Sequence, residues 1–436
     1  MATYGSIPGV KISTSTGTIS GVTIGRSQYL LLVGVGSTEA TVATNEPVQI
    51  GGRNDVDEKF GADSDVANAY RRALSNGADP QFIRGVRVET TEQSESFTST
   101  SGSLSNSPIV QDPTRISAVD DTNTSGDGDY EVTFGYADPV DPPTDSGIVN
   151  PYTGGFESTF AESTVTYETA DWDSAFAACQ GALSEGEFGV INPLTTSSEA
   201  GTALQSVISS MREDMKMVVG ILGAEYNGTS TDGMPRLNPS EFTNTYSDDT
   251  MFLVGPTALE NQDLGVQGVE ALGAASGLFA GNSNTEPVYD STLQGISSLD
   301  QDVSRADVTD LRNERVIPIR DTGVPRLEDN RSTYDQKTDG GWERDYFRRR
   351  IVDLTTVTLY LVARQQIGGI LDGETVSDVQ DAVNVEMSEL VQDGLLEPGG
   401  QSVSVYRDDD RTIGMDIVIS PFGVAKGADI SLQINA

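Results

Sequence analysis

The sequence predicts an α/β (α+β) multidomain protein. The expectation is a mixed-sheet core domain with an inserted β-rich lobe, a C-terminal α+β domain, and extended strand arms at both termini. Three observations carry it. Apolar runs of buried-strand length alternate with amphipathic helical patterns, the rhythm of a sheet with helices on its faces. That rhythm stops near residue 91 and resumes near 170. The 436 residues also exceed what one hydrophobic core sustains, since cores stop growing near ~250–300 residues. On this reading residues 1–20 are an N-terminal arm, 21–90 and 170–300 the core, 91–169 the inserted lobe, 301–411 the C-terminal domain, and 412–436 closing strands and a second arm.

Residues 1–20 are short, Ser/Thr-rich and extended in character, with Val10 and Ile12 on one face. "YLLLVGVG" (29–36) reads as a buried central strand, and "DSDVANAYRRALSNG" (63–77) as a helix opened by acidic residues and stopped by Gly77. "PQFIRGVRV" (80–88) is the next strand. From 91 to 169 Ser, Thr, Asp, Gly and Pro dominate around short alternating pieces such as "DYEVTFGY", which predicts a β-rich or loop-rich insertion with little core of its own. The α/β pattern then returns: helix "DWDSAFAACQGAL", strand "FGVINPL", helix "AGTALQSVISSMRED", strand "MKMVVGILGA", strand "MFLVGP", and the small-residue helix "VQGVEALGAASGLFAG". A new unit is expected after 300. It opens with strand and turn "RVIPIRDTGVPRL", followed by a long amphipathic helix over 342–371 and a second over 375–394. In the long helix Trp342, Tyr346, Ile351, Leu354, Val357 and Leu361 keep near-helical spacing. The end, "IGMDIVISPFGVAKGADISLQINA", reads as two strands, the last with Ile430, Leu432 and Ile434 on one face.

Composition excludes several classes of function. The formal net charge is -39, from 66 acidic and 27 basic residues, with 40 Asp against 26 Glu and five Lys. Such self-repulsion opposes a compact state at ordinary ionic strength and is largely screened at molar salt, where the Debye length is about 3 Å. The balance is that of a protein from a salt-loaded cytoplasm and resembles haloarchaeal proteins. A hydrophobic content of 36% with clear periodicity argues against a disordered acidic chain. Direct nucleic-acid binding needs a basic face that this charge does not offer. No apolar run approaches the ~20 residues of a membrane helix, and "MATYGSIPGV" has neither the basic nor the apolar region of a signal peptide. The expectation is therefore assembly inside a cell, without membrane insertion.

The chemistry-bearing motifs are weak. There is no histidine, which removes the commonest general base and the usual zinc ligand, together with Ser–His and Cys–His nucleophile systems. Cys179, the single cysteine, lies in an apolar helical pattern and reads as a buried small hydrophobe rather than a nucleophile. Gly34 and Gly36 follow a strand as in a dinucleotide turn, but the third glycine is missing and no Lys-bearing phosphate loop exists. Asp121, Asn123, Ser125, Gly126, Asp127 and Asp129 fit a calcium loop up to position nine. Position twelve is Val132, where a bidentate Glu is needed, so a solvated acidic turn is favoured. "FRRR" supplies the densest basic cluster, Arg348, Arg349 and Arg350. With Asp345, Arg349 and Asp353 four apart, it is either an intrahelical pairing or a positive spot meeting an acidic partner subunit. No catalytic, cofactor or metal site is expected.

Several stretches resemble the contractile tail sheath proteins of contractile-tailed viruses and related cell-encoded injection machines. "SIPGVKI" is similar to that family's opening strand. "LLVGVGSTEATVATNEPVQIGGRNDVDEKFG" and "AYRRALSNGADPQFIRGVRV" are similar to its first strand, turn, helix and second strand. "AASGLFAGNSNTEPVYDSTLQGISSL", "GWERDYFRRRIVD" and "MDIVISPFGVAKGADISLQI" follow in the family's order. One departure is "GVPRLEDNRSTYDQKTDGGW", standing where the family often carries a Gly-Ala-Arg-Thr-like strand.

The resemblance implies a non-enzymatic structural subunit that forms hexameric rings stacked as a helical tube around an inner tail tube protein. Baseplate and tail terminator proteins would be further partners. It implies terminal arms, carrying Val10, Ile12, Ile430, Leu432 and Ile434, that add strands to neighbouring subunits, and rigid-body rearrangement on contraction. The location implied is a virion tail assembled in the host cytoplasm, or a released injection particle. The rival readings are a haloarchaeal surface or adhesive protein and a soluble halophilic enzyme.

Overall fold

The computed structural model describes residues 28–110, 115–121, 129–134, 146–149, 154–226, 242–243, 246–257, 268–281, 288–299, 303–334, 345–364, 373–407 and 413–421. The fold is mixed α/β, and the chain divides into two compact units, each described here by itself. The larger takes in the described parts of 27–282 and 290–337, the smaller those of 283–289 and 338–436.

The larger unit starts with strand β1 (Gln28–Val35), buried along almost its whole length as an apolar run flanked by two neighbours should be. After β2 (Pro47–Gln49) and helix α1 (Arg53–Phe60), helix α2 (Asp65–Ser75) begins at Ser64, whose side chain accepts the Ala67 N–H. It stops before Gly77, which takes φ +96°, a left-handed conformation open to glycine. β3 (Ile83–Phe97) is longer than its sequence pattern suggested: its first half pairs in parallel with β1 and its second half runs into the inserted lobe.

The lobe holds β4 (Ser101–Ser103), β5 (Ile116–Asp120), β6 (Asp129–Phe134), β7 (Ser146–Val149), β8 (Gly155–Ser158) and β9 (Ser163–Asp171). β9 returns antiparallel to β3 over Glu89–Phe97, so a two-stranded ribbon carries the lobe. The expectation of little internal core is overturned. Leu104, Ile109, Ile116, Ala118, Val132, Val149, Phe156, Val165 and Tyr167 form one buried cluster. Period-two alternation turns these scattered apolar residues to a single face.

The core then continues with α3 (Trp172–Cys179), β10 (Phe188–Pro193), α4 (Ser198–Glu213), β11 (Met217–Gly223) and the short pair β12 (Glu225–Tyr226) and β13 (Phe242–Thr243). β14 (Met251–Gly255), α5 (Val269–Gly281), β15 (Ser291–Thr292), α6 (Arg305–Asn313), β16 (Val316–Asp321) and β17 (Pro325–Leu327) complete it. The parallel strands lie in the order β3–β1–β10–β11–β14–β16, a doubly wound sheet whose strand order reverses beside β1. With the lobe strands and β15, β17 and β2, the sheet counts 15 strands.

The boundary expected at 301 therefore moves. α6, β16 and β17 belong to the core, because Val316–Pro318 pair in parallel with Leu253–Gly255. The segment that departs from the sheath pattern lines this core: Asp329, Asn330, Ser332 and Thr333 are all buried. Arg312 pairs with Asp329 at 3.1 Å, and the Thr333 N–H donates to the Met251 carbonyl at 2.9 Å.

In the smaller unit, α7 (Tyr346–Arg364) lies within the long helix expected over 342–371, and residues 341–344 lie outside the described ones. Asp345 fixes its start by accepting the N–H groups of Phe347 and Arg348, and residues 365–372 lie outside the described ones. At 19 residues it spans about 28 Å. α8 (Gly373–Gln392) follows, then a hairpin of β18 (Ser402–Arg407) and β19 (Ile413–Val418). β19 was expected. β18 was not read from the sequence, since its two valines alternate with polar residues over only six positions.

Candidate functional site

A doubly wound sheet binds ligands outside the carboxyl ends of its strands where the strand order reverses. In this chain that position lies beyond β1, at Gly34 and Gly36. Both glycines are packing sites. A Cβ on Gly34 would sit 2.9 Å from Leu194 Cδ1 and 3.1 Å from Asp65 Cβ, and one on Gly36 would sit 3.0 Å from the Arg87 side chain. The lobe reaches over the same end. Arg115 donates to the Gly36 carbonyl and pairs with Glu168 at 2.6 Å, and Val110 is buried among Val33, Val35, Val86 and Val88 of the core.

A cavity of about 460 Å³ remains between the β1 loop, the start of α2 and the lobe. Its charged lining is Asp63, Asp65, Glu92, Glu168 and Arg115. Carboxylates repel phosphate, and Ser64 already caps the α2 N-terminus. The residues present do not fit a nucleotide.

The other chemical candidates resolve as follows. Cys179 is buried, its Sγ lies 3.4 Å from the Ala175 carbonyl, and burial pushes its thiol up to about 12, far from a nucleophile. Val132, at position twelve of the calcium-like loop, is part of the lobe core, so that position offers an apolar side chain facing inward. Asp121 accepts the Thr164 hydroxyl at 2.8 Å, and residues 122–128 lie outside the described ones. Of the basic cluster, Arg349 and Arg350 are 8% and 5% exposed, and Arg349 pairs with Asp353 at 3.0 Å. The intrahelical pairing is realised at Arg349. Arg348 is half-buried, so the three arginines together form no exposed basic patch. Among the described residues no group of three or more acidic or Cys side chains could hold a metal, and no helix is long and apolar enough to cross a membrane.

The arm residues Val10, Ile12, Ile430, Leu432 and Ile434 lie outside the described residues. Among the described residues, the smaller unit carries a sheet of its own. β18 and β19 form a two-stranded sheet, marginal by itself in water. Val403, Val405 and Met415 are half-buried, and Ser402, Ser404, Tyr406, Asp416 and Val418 are exposed on the opposite face. Gln380 of α8 reaches the edge of β18. Its Nε2 donates to the Val403 carbonyl at 3.1 Å and its Oε1 accepts the Val405 N–H at 2.8 Å. Sequence reading missed Gln380 because a polar residue between Val379 and Val383 looks like the wet side of an amphipathic helix.

The chain is similar in fold to several solved proteins. The sheath of an extracellular contractile injection system, PVC, in its contracted state gives a TM-score of 0.60 at 10% identity, covering 99% of this chain and 98% of that one. The contracted helical sheath of the anti-feeding prophage gives 0.59 at 12% identity, covering 98% and 99%. A sheath tail protein of Listeria innocua gives 0.51 at 13% identity, covering 91% and 96%. At such identities the likeness is one of fold. No curated protein matches the chain. The family model described as "DUF2586, N-terminal domain" matches residues 7–237, more than half of the 436 residues, and the chain belongs to that family.

Proposed function

We propose that the chain is the structural subunit of a contractile sheath. It polymerises as stacked hexameric rings around an inner tube, joins a baseplate and a terminator at its ends, and contracts by rigid-body rearrangement to drive the tube through a cell envelope. The observation that carries this reading is the sheath-subunit fold over 98–99% of the chain, smaller unit included. The buried cysteine and the acidic cavity among the described residues, with no histidine in the sequence, are compatible with a structural role.

Assembly proceeds through the two arms. Residues 1–20 and 430–436 are too short to make a core, and a lone strand is marginal in water, so each needs a sheet to join. Strand addition across a heterologous interface generates an open helical polymer. The charge of -39 makes a salt-loaded cytoplasm the natural setting. The particle is a virus tail or an injection machine.

Electron microscopy of the purified chain in molar KCl tests the proposal. Hollow tubes with six-fold end views are the expected result, and dispersed particles at every concentration would refute it. Deleting 429–436 or 2–14 should leave a folded subunit by circular dichroism that no longer sediments as tubes. A monomer unfolded by the C-terminal deletion would mean that the strand belongs to its own subunit's core.

A further inference from the structure

Residues 303–334 carry six arginines and six acidic residues, a balanced charge in a chain whose total is -39. Four of those arginines form one connected seam near the edge of the large sheet. Arg312 of α6 and Arg331 share the buried Asp329 carboxylate, at 3.1 and 3.6 Å, and Arg331 also donates to the Arg312 carbonyl at 3.0 Å. Arg312 donates to the Glu328 carbonyl, and the Glu328 carboxylate pairs with Arg320 at 3.1 Å. Arg320 on β16 lies directly opposite Arg326 on β17, and Arg326 ends the seam on Asp290 at 3.4 Å. Two cations facing each other across a ladder repel. Their placement works against the subunit's own stability and calls for negative charge beyond Glu328 and Asp290. The turn between the two strands holds out Val324, 43% exposed.

The smaller unit carries the complement. α8 contains five acidic residues and no basic one. Asp378, Asp381 and Glu389 are exposed around Val385, which is itself 57% exposed. Spacings of three, four and four residues place these four side chains on one helix face. We propose that the arginine seam is a docking surface for the acidic α8 face of a second copy of this chain, with Val324 and Val385 meeting inside a ring of opposite charges. The occupant follows from charge. A surface of balanced charge is where chains of -39 approach with least repulsion, and guanidinium forks fit carboxylates as bidentate partners. Contact between two different surfaces is heterologous. Each copy then offers one seam and one α8 face, and the series of contacts stays open, as a helical tube requires. The inference rests on the reading of the chain as a sheath-type polymer and adds which described surfaces meet.

Charge reversal separates this contact from general repulsion. Asp381→Arg makes the chain two charges less negative, so repulsion alone predicts easier assembly. The docking surface predicts the reverse: with an unchanged circular dichroism spectrum, the variant should need an at least about tenfold higher concentration to sediment as tubes in molar KCl. Arg326→Glu breaks only an exposed ion pair, which adds little to the fold, and should impair assembly likewise. The Arg326→Glu, Asp381→Arg double variant has the wild-type net charge and should regain assembly. A second measurement covers a variant that misfolds. Mixing the single variants Val324→Cys and Val385→Cys under oxidation should link two chains on a denaturing gel, and neither variant should link alone. Cys179 is buried and stays out of the reaction. Tubes that form without the link in the mixture, a link in either variant alone, easier assembly of Asp381→Arg, or a folded double variant no better than its parents would each overturn the docking surface. Wild-type chains that never form tubes would overturn the polymer reading itself, an outcome distinct from the others.

Discussion

Substituting Gly277 by Ala should destabilise the core, although Ala is the better helix former by about 1 kcal/mol. Helices α2 and α5 approach along one row of small residues. A Cβ on Gly277 would lie 2.6 Å from Ala73 Cα and 2.6 Å from Ala73 O. One on Gly273 would lie 2.5 Å from Ala69 Cα, and one on Gly281 2.4 Å from Gly77 C. These are backbone atoms, so no rotamer change relieves the overlap and α5 itself must shift outward by roughly 1 Å. A shift of that size forfeits a quarter to a half of the dispersion contacts on the helix face it lifts away. That face includes Leu272 and Phe279, both fully buried, with Phe279 5.5 Å from the Phe252 ring of β14. Overpacking of this kind costs about 1–3 kcal/mol, and the helix-propensity gain offsets about 1 of it, leaving a net loss of roughly 1–2 kcal/mol. Denaturant unfolding in molar KCl reads the difference as a lower midpoint at constant slope. Gly181→Ala is the control, because nothing lies within 4 Å of the added carbon. A Gly277→Ala chain as stable as wild type would refute the backbone-contact argument.

Three further outcomes follow from the lobe and the charge. Burial alone would raise the Glu95 carboxyl, but hydrogen bonds from the Tyr167 hydroxyl, the Ser105 N–H and hydroxyl, and the Asn106 amide outweigh it and hold Glu95 below the usual range. A depressed folded value contributes stability above the ordinary carboxylate range that is lost as pH falls through the folded value. The melting-temperature gap between wild type and Glu95→Gln should therefore shrink on acidification below about pH 4.5, and a constant gap sinks the claim. Val110→Ala should weaken the core strands, not just the lobe, by about 2–3 kcal/mol in denaturant unfolding, since two methyl groups leave a cavity among Val33, Val35 and Val88. With -39 per subunit, tubes should dissociate on dialysis to about 0.1 M salt, where the Debye length reaches ~10 Å, and light scattering would register persistence as a failure of this reasoning.

How far the sequence announces the fold depends on where the information sits. β10, β11 and β14 are legible as continuous apolar runs because strands buried on both faces need no polar side. The Arg349–Asp353 pair is legible from its i,i+4 spacing alone. Long-range pairing is not legible. "RVIPIR" looks like the opening of a new domain until β16 is seen beside β14, a partner some sixty residues earlier whose identity no local pattern encodes. The lobe core was hidden for a different reason. Its apolar residues come one or two per short strand, separated by Ser and Thr, and only the shared face unites them. At the candidate site the hairpin's second half was legible, but Gln380 was not. Its role depends on two backbone groups more than twenty residues away.

The lobe's attachment and its charge bear on where it faces in a polymer. Residues 91–169 contain 14 acidic side chains and one basic one, Arg115. That one cation is turned inward, onto the Gly36 carbonyl and Glu168, and is mostly buried with a side-chain exposure of 12%. The lobe's remaining surface is therefore uniformly anionic, with Ser/Thr pairs such as Ser96–Thr164 between its carboxylates. Like surfaces of this kind repel, so copies pack least easily through their lobes and an outward position is the one of lowest repulsion. The ribbon of β3 and β9, with Val110 and Arg115, fixes the lobe to the core, so excising all of 91–169 would remove core packing as well as a surface. Neutralising exposed lobe carboxylates is the cleaner perturbation. If the lobe faces outward with copies well apart, Glu92→Gln and Glu162→Gln should leave the salt concentration for half-assembly nearly unchanged. If lobes meet at a subunit interface, removing two charges per copy should lower that concentration markedly, because repulsion between surfaces within a Debye length scales with the charge on each.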